Sequence, residues 1–335
     1  MRVSDDAERR SRLHGIKLRA LVSDHLGVPD VPEPEPFAPG AAVVYDRTAW
    51  ILLDDRPGRL LGAALVWVLR HRADVDRVEL IADSGTGVLA RRADHFDDEI
   101  GVWHAEGRDL LPAVAEPLTP SIASPAHHDD FRERIEAGGA TPVVEHGVLA
   151  GEVCGLEVCR VVDDAALDVT RLEVGVGAHD REAFQMLHGD VPDVESLARI
   201  VDVVASHRRV GAPQHPLNRL AAERFIRWRI IEDPTLVGLR TLDAAPPPVP
   251  RDNLKDATPC VAIGIDHAGA PTVVVCSSGV DLDVVPFAGD ARSSIEIETG
   301  VEHRLVLAMP SRDRVRATEE LAQRLTRPAV LVSVD

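Results

Sequence analysis

Several carboxylates in this sequence have a spacing that would place them beside space for a ligand. In the run TRLEVGVG, strand alternation puts Glu173 and Gly175 on one face and the apolar residues on the other. A carboxylate beside a glycine leaves room for a ligand or for another backbone. Asp281 and Asp283, two residues apart on a strand-like run, would also share a face. They could form a second acidic ligand site, or they could simply be solvated.

The elements that would position Glu173 have a definite order in the segment 126–190. A helix begins near His128 and ends at Gly138–Gly139, as helices commonly do at glycine. Three β-strands and a second helix follow. Their sequences are TPVVEHGVLAG (with a turn near Gly147 or Gly151), EVCGLEVCRVV, TRLEVGVG and then HDREAFQMLHG.

This order of a helix, a three-stranded meander and a helix resembles the opening of the restriction-endonuclease-like, or PD-(D/E)XK, nuclease fold, over residues 126–190. In that superfamily, an acid on the second strand and one on the third hold one or two Mg²⁺ ions. The resemblance assigns these positions to Glu157 and Glu173, and it implies metal-dependent phosphodiester hydrolysis. Glu133 or Glu136 would be the further acid that some members use; otherwise both face solvent.

The family also has a lysine two residues after the second acid, and here that position is Gly175. The chain is therefore either an enzyme that takes its cation from elsewhere or a non-catalytic relative. Its only lysines are Lys17 and Lys255, so Lys255 is the candidate for a displaced catalytic lysine, unless it survives by chance. His179 with Asp180 could transfer protons, although Asp180 is also placed to cap a helix.

A structural alternative explains the two glutamates without a metal. Glu157 and Glu173 could lie on a half-exposed sheet and form ion pairs with Arg160 and Arg171. That arrangement would make the segment a scaffold and not a catalytic centre.

The positive charge is concentrated between residues 207 and 251, which contain eight arginines and four acidic residues. A predicted helix over 215–231 places Arg219, Arg224 and Arg227 away from its apolar residues. Those apolar residues are Leu217, Leu220, Ala221, Phe225, Trp228 and Ile231. The arginines predict either a solvated helix face or a local contact with a nucleic-acid backbone.

The composition excludes several other classes of protein. A net charge of −18 over 335 residues repels nucleic acid on average, so binding over the whole surface is not expected. The charged N-terminus lacks the apolar run of a signal peptide, and no stretch of apolar residues is long enough to span a membrane. We therefore expect a cytoplasmic protein. The four cysteines have no zinc-type spacing and are expected to be small buried side chains.

The predicted fold class is α/β with two lobes. Residues 1–40 predict a polar helical arm and an exposed proline-rich linker. Residues 41–115 alternate between strands and helices, which indicates a small domain with a mainly parallel sheet. After a linker at 116–126, the nuclease-like domain occupies 126–335 and includes a helical region at 193–232 and a terminal β-α-β unit.

Three functions are compatible with these patterns. The first is a nuclease-like protein with Mg²⁺ held by Glu157 and Glu173. The second is a non-catalytic interaction or regulatory protein, for which a protein partner is expected. The third is a small-molecule enzyme or sensor whose pocket lies between the lobes, with Asp281, Asp283 and His179 as its polar lining.

Overall fold

The computed structural model describes residues 2–37, 39–71, 75–166, 168–177, 180–182, 194–209, 211, 215–250 and 258–335. The chain forms two compact units. Unit 1 comprises Met1–Leu118, Asp281–Asp290 and Val315–Ala329, and unit 2 comprises Thr119–Val280, Ala291–Arg314 and Val330–Asp335. The first passage between units falls inside the segment 116–126. The assignment of two C-terminal segments to unit 1 depends on contacts between residues that are far apart in the sequence.

Unit 1 is built on a six-stranded sheet in the order β1-β2-β3-β4-β5-β6. Its strands are β1 (Glu35–Phe37), β2 (Gly40–Tyr45), β3 (Thr48–Leu53), β4 (Arg77–Ala82), β5 (Ile100–Glu106) and β6 (Asp109–Pro112). Its helices include α1 (Arg2–Leu26), α2 (Leu61–Arg70) and α3 (Thr86–Ala93). Strands β3, β4 and β5 are parallel, whereas the outer strands pair antiparallel. The expected parallel arrangement therefore holds for the centre of the sheet.

The N-terminal helix α1 is packed into unit 1 and is not a separate arm. Leu18, Leu21 and Val22 are buried in the same core as Trp50 of β3. Val31, in the segment expected to be exposed, is buried there too. The overall polarity of α1 conceals a short apolar stripe, and such a stripe is sufficient to dock a helix on a sheet.

The central part of unit 2 is an antiparallel meander in the order β10-β9-β8-β7. Its strands are β7 (Thr141–Glu145), β8 (Val148–Val153), β9 (Leu156–Asp164) and β10 (Val169–Val174). It is preceded by the 3-10 helix Ala126–Phe131 and by α4 (Arg132–Ala137), and it is followed by α5 (Val194–His207). Ile135 of α4 and Leu197 of α5 share a core with the buried face of this sheet.

This meander has four strands, whereas three were predicted. The residues expected to form one strand with a turn are divided into β7 and β8. His146 and Gly147 connect them, with φ of 47° and 79°. Two left-handed residues form the tight turn that matches the twist of an antiparallel pair. As a result, Glu157 and Glu173 lie on the third and fourth strands of the meander.

A second sheet of unit 2 has five strands in the order β11-β12-β13-β14-β15. They are β11 (Leu239–Ala245), β12 (Cys260–Asp266), β13 (Pro271–Cys276), β14 (Arg304–Met309) and β15 (Val330–Ser333). Ile226 and Ile230 of α6 (Ala222–Glu232) pack on this sheet. Strands β12 and β13 form an antiparallel hairpin. The terminal β-α-β is present as β14, α8 (Arg316–Gln323) and β15, and α7 (Val284–Thr299) precedes it.

The mixture of helices and three sheets confirms the α/β class. All four cysteines are free thiols; Cys159, Cys260 and Cys276 are buried and Cys154 is partly buried, as expected of small core side chains. Over the part of the chain that the structure describes, no helix is long and apolar enough to cross a membrane.

Candidate functional site

Glu157 and Glu173 meet at one arginine on the central sheet. Glu157 is on β9, Glu173 is on β10, and Arg181 follows the end of β10. The Nη1 atom of Arg181 lies 3.1 Å from Glu157 Oε1, and its Nε atom lies 3.6 Å from Glu173 Oε2. The guanidinium therefore stands between the two carboxylates, where a metal ion shared by them would lie.

Two further arginines complete the ion pairs of this cluster. Arg160 binds both carboxylate oxygens of Glu157, at 2.7 and 2.9 Å. Arg171 lies 3.2 Å from Glu173 and 2.8 Å from Asp164. Together with the bridging guanidinium, three positive groups balance three carboxylates. The ion pairs of the structural alternative, Glu157 with Arg160 and Glu173 with Arg171, are therefore present.

The arginines of this cluster stay charged. The hydrogen bond to Glu157 outweighs the effect of burial and raises the pKa of Arg160 above its ordinary value. Burial, together with the positive charge of Arg160, lowers the pKa of Arg181. Even so, a guanidinium does not lose its proton in a protein at neutral pH. A pair of carboxylates already neutralised in this way does not fit the hard, oxygen-only coordination that Mg²⁺ requires.

Gly175 has a structural reason to be a glycine at the position where the nuclease family has lysine. Its φ is +142°, and a Cβ atom there would lie 2.8 Å from the backbone nitrogen of Arg181 and 2.9 Å from the carbonyl carbon of Asp180. A side chain at this position would collide with the chain that brings Arg181 to the glutamates. The missing lysine and the bridging arginine are thus two consequences of one close approach.

Two further acids predicted for this site are described by the structure and do not join it. Glu133 and Glu136 are exposed on α4, while Ile135 between them is buried. They form a solvated helix face. His179 and Lys255 lie outside the described residues, as does most of the second predicted helix, although 180–182 are helical.

The predicted nucleic-acid contact is wrong for Arg224 and Arg227. Both side chains are buried, and both bind Glu145 of β7 and Glu152 of β8. The Arg227 Nη2 atom lies 3.1 and 3.0 Å from the two oxygens of Glu152. A guanidinium enclosed in this way cannot reach a phosphate. Of the three candidates, Arg219 alone is exposed.

The prediction failed because α6 turns a different face inward. Its buried positions include Ile226 and Ile230 together with the two arginines, whereas Phe225 and Trp228 are only half-buried and stack with ring centroids 5.5 Å apart. Hydrophobic periodicity treats arginine as a surface residue. It therefore misassigns a helix whose arginines are neutralised by Glu145 of β7 and Glu152 of β8.

Arg208 is a further internal arginine of the basic segment. It is 1% exposed and stacks over the ring of Phe225 at 5.3 Å. Its guanidinium donates to the backbone carbonyls of Cys154, Leu217, Leu220 and Ala221. Charge in this part of the chain thus satisfies internal acceptors.

Asp281 and Asp283 do not share a strand face, because the chain turns into helix α7 at this point. Asp281 accepts a hydrogen bond from the backbone nitrogen of Asp283 at 2.9 Å, as a residue before a helix does. Asp283 is buried and lies 2.6 Å from Arg92 Nη1. Arg92 also binds Asp290 at 2.8 Å, and all of these residues belong to unit 1. Burial nevertheless raises the pKa of Asp283 to about 7.

One group of potential ligands was missed by the analysis of the sequence. His127 and His128 lie beside Asp163, with the imidazole and carboxylate atoms within 4.8 Å of one another. Among the residues that the structure describes, this is the sole cluster of three or more histidine, cysteine or acidic side chains with such spacing. The signal in the sequence was the adjacent histidine pair, which gave no indication of the distant acid. No family model matches this chain, and comparisons with curated proteins and with solved structures found no match.

Proposed function

We propose that this chain is a non-catalytic interaction or regulatory protein built around a nuclease-like central unit. The observation that carries the proposal is the position of Arg181 between Glu157 and Glu173. In a nuclease, a metal ion at that place would supply the positive charge and activate water. A guanidinium supplies the charge and has no coordination position for water.

The charge balance around these glutamates supports the same conclusion. A carboxylate pair binds a hard cation because its negative charge is uncompensated. Here Arg160 binds both oxygens of Glu157, and Arg171 binds one oxygen of Glu173. An incoming Mg²⁺ ion would have to break several charge-assisted hydrogen bonds, each about twice as strong as a neutral one.

The burial of two of the three arginines at the predicted contact adds a second argument. Arg224 and Arg227 form internal ion pairs, and the net charge of the chain is −18. A nucleic-acid substrate gains most of its affinity from phosphate contacts with exposed cations. The partner is therefore more consistent with a protein than with DNA or RNA.

The test combines cleavage with metal binding. Wild-type protein is incubated with single- and double-stranded DNA and with RNA, in Mg²⁺ and in Mn²⁺, and Mn²⁺ binding is measured by calorimetry. We expect no metal-dependent cleavage and no binding at the Glu157–Glu173 position. Arg181→Ala should expose the two carboxylates and create a Mn²⁺ site that Glu173→Gln removes again.

An active Mg²⁺-dependent nuclease is the second candidate, because two carboxylates do converge on one point. It would be supported by cleavage in the wild type that disappears in Glu157→Gln and in Glu173→Gln. Glu195→Gln, at a side chain that is 74% exposed, is the control and should change nothing. That pattern would refute the non-catalytic proposal.

A further inference from the structure

A second group of metal-ligating side chains lies near the end of β9, separate from the glutamate cluster. His127 and His128 are in the 3-10 helix that follows Pro125, and Asp163 is the next-to-last residue of β9. Asp163 and Asp164 point to opposite faces of the sheet, as consecutive strand residues do. Because Asp164 belongs to the arginine–glutamate cluster, the histidine group is independent of it.

The distances in this group approach those of a metal site. His127 Nε2 lies 2.9 Å and His128 Nε2 lies 3.1 Å from Asp163 Oδ1. Bonds of about 2.0–2.1 Å to a tetrahedral ion separate the ligand atoms by roughly 3.3 Å. The imidazole rings are edge to face, with centroids 4.6 Å apart. Small side-chain rotations would therefore be enough to place an ion between the three atoms.

His128 gives independent evidence for a ligand. Its side chain is 6% exposed, neither ring nitrogen has a well-formed hydrogen bond, and Nε2 has only the 3.1 Å contact with Asp163 Oδ1. Buried polar atoms in native proteins almost always have a partner, so such an imidazole calls for an explanation. A bond from Nε2 to an ion would satisfy the nitrogen that is directed toward Asp163.

Asp163 is prepared to act as the anionic member of the group. Thr170, directly opposite on β10, donates a hydrogen bond to Asp163 Oδ1 at 2.7 Å. His127 and His128 contact the same carboxylate oxygen. These contacts hold the Asp163 carboxylate in an orientation in which one oxygen faces both imidazoles.

We propose that His127, His128 and Asp163 form a binding site for a late first-row divalent ion of the Zn²⁺ type. Two imidazoles and one carboxylate favour such an ion over Mg²⁺, which prefers oxygen ligands and keeps its water. The side chains of His127 and Asp163 are 55% and 51% exposed, so an ion can enter from solvent. Three protein ligands leave a fourth tetrahedral position for an exchangeable ligand. The ion would also tie the 3-10 helix to the strand.

The experiment is a Zn²⁺ titration of the full chain by calorimetry, with the protein freed of metal by a chelator and carrying no polyhistidine tag. We expect one Zn²⁺ per chain, a rise in melting temperature on binding, and no response to Mg²⁺. Asp163→Asn and His127→Gln, both at exposed positions, should each weaken Zn²⁺ binding by about tenfold or more. His128→Ala should do the same.

The matched control is His207→Gln. His207 and His215 are another close pair, stacked at 3.8 Å, and among the residues that the structure describes they are not part of a three-ligand group. Zn²⁺ affinity that is unchanged by His207→Gln and lowered by Asp163→Asn supports the site. Affinity that persists in both Asp163→Asn and His127→Gln, or that is lost in His207→Gln, overturns it. Because burial of His128 makes His128→Ala the variant most prone to misfold, the two exposed variants decide the result.

Discussion

Replacing Arg227 by methionine should lower the free energy of unfolding by about 3–5 kcal/mol. Arg227 is 1% exposed and binds Glu145 at 2.7 Å as well as both oxygens of Glu152. Methionine fills a similar volume, so the loss is electrostatic and not a cavity effect. The substitution would leave two buried carboxylates facing a single guanidinium, that of Arg224.

The expected magnitude follows from the balance of charge. Two arginines and two glutamates form a neutral buried group, and removing one arginine leaves an uncompensated negative charge. Burial acts to raise the pKa of Glu145, but Arg227 and Arg224 overcome it and hold that pKa below its ordinary value. A loss of several kcal/mol is a large part of the 5–15 kcal/mol that stabilises a typical domain.

Urea unfolding followed by circular dichroism measures this effect. Arg219→Met is the control, because Arg219 is exposed and its replacement should change stability by less than about 0.5 kcal/mol. The double variant Glu152→Gln/Arg227→Met restores neutrality and should recover part of the loss. The internal role assigned to Arg227 is incorrect if the free energy of unfolding of Arg227→Met lies within about 1 kcal/mol of the wild-type value and the variant binds nucleic acid more weakly.

Three further substitutions or treatments test other parts of the structure. Gly175→Ala should lower the free energy of unfolding by about 3 kcal/mol, because of the unfavourable φ and the contact with the following chain. Gly269→Ala, where φ is +84° and the added Cβ atom meets open space, should lower it by about 1 kcal/mol. Equal losses in urea unfolding would contradict this difference. Since the pKa of Asp283 is raised to about 7, its folded state holds a proton that the unfolded chain releases near pH 4. Stability should therefore fall by about 2–3 kcal/mol between pH 5 and pH 8, and Asp283→Asn should flatten that profile; parallel profiles would refute the assignment. A thiol reagent should modify Cys154 in the native protein well before the three buried thiols, and rapid reaction of all four would show that the core opens.

The glutamate cluster shows how far a family pattern can be carried. Strand alternation and the resemblance brought Glu157 and Glu173 to one place, and in the structure their side chains do contact a common group. That group is Arg181, and no strand pattern indicated it. The position of a guanidinium depends on the path of the chain after β10, which Gly175 permits by having no side chain.

Local patterns determined much of the secondary structure of this protein. Local patterns predicted the alternation of strands and helices over 41–115 and the closing β14-α8-β15 unit. These elements depend on periodicity over a few residues, so the sequence alone contains the information. A turn of two residues, His146 and Gly147, was enough to change the strand count.

Tertiary structure decided which charges are available for function. Arg224 and Arg227 look like surface residues in the sequence, yet glutamates more than 70 residues away neutralise them in the interior. His128 and Asp163 belong to segments whose proximity no spacing rule predicts, and their approach creates the candidate metal site. The sequence by itself determined where helices and strands form, because those depend on neighbouring residues. The pairing of charges and ligands depends on contacts across the fold, and for that reason only the folded chain reveals it.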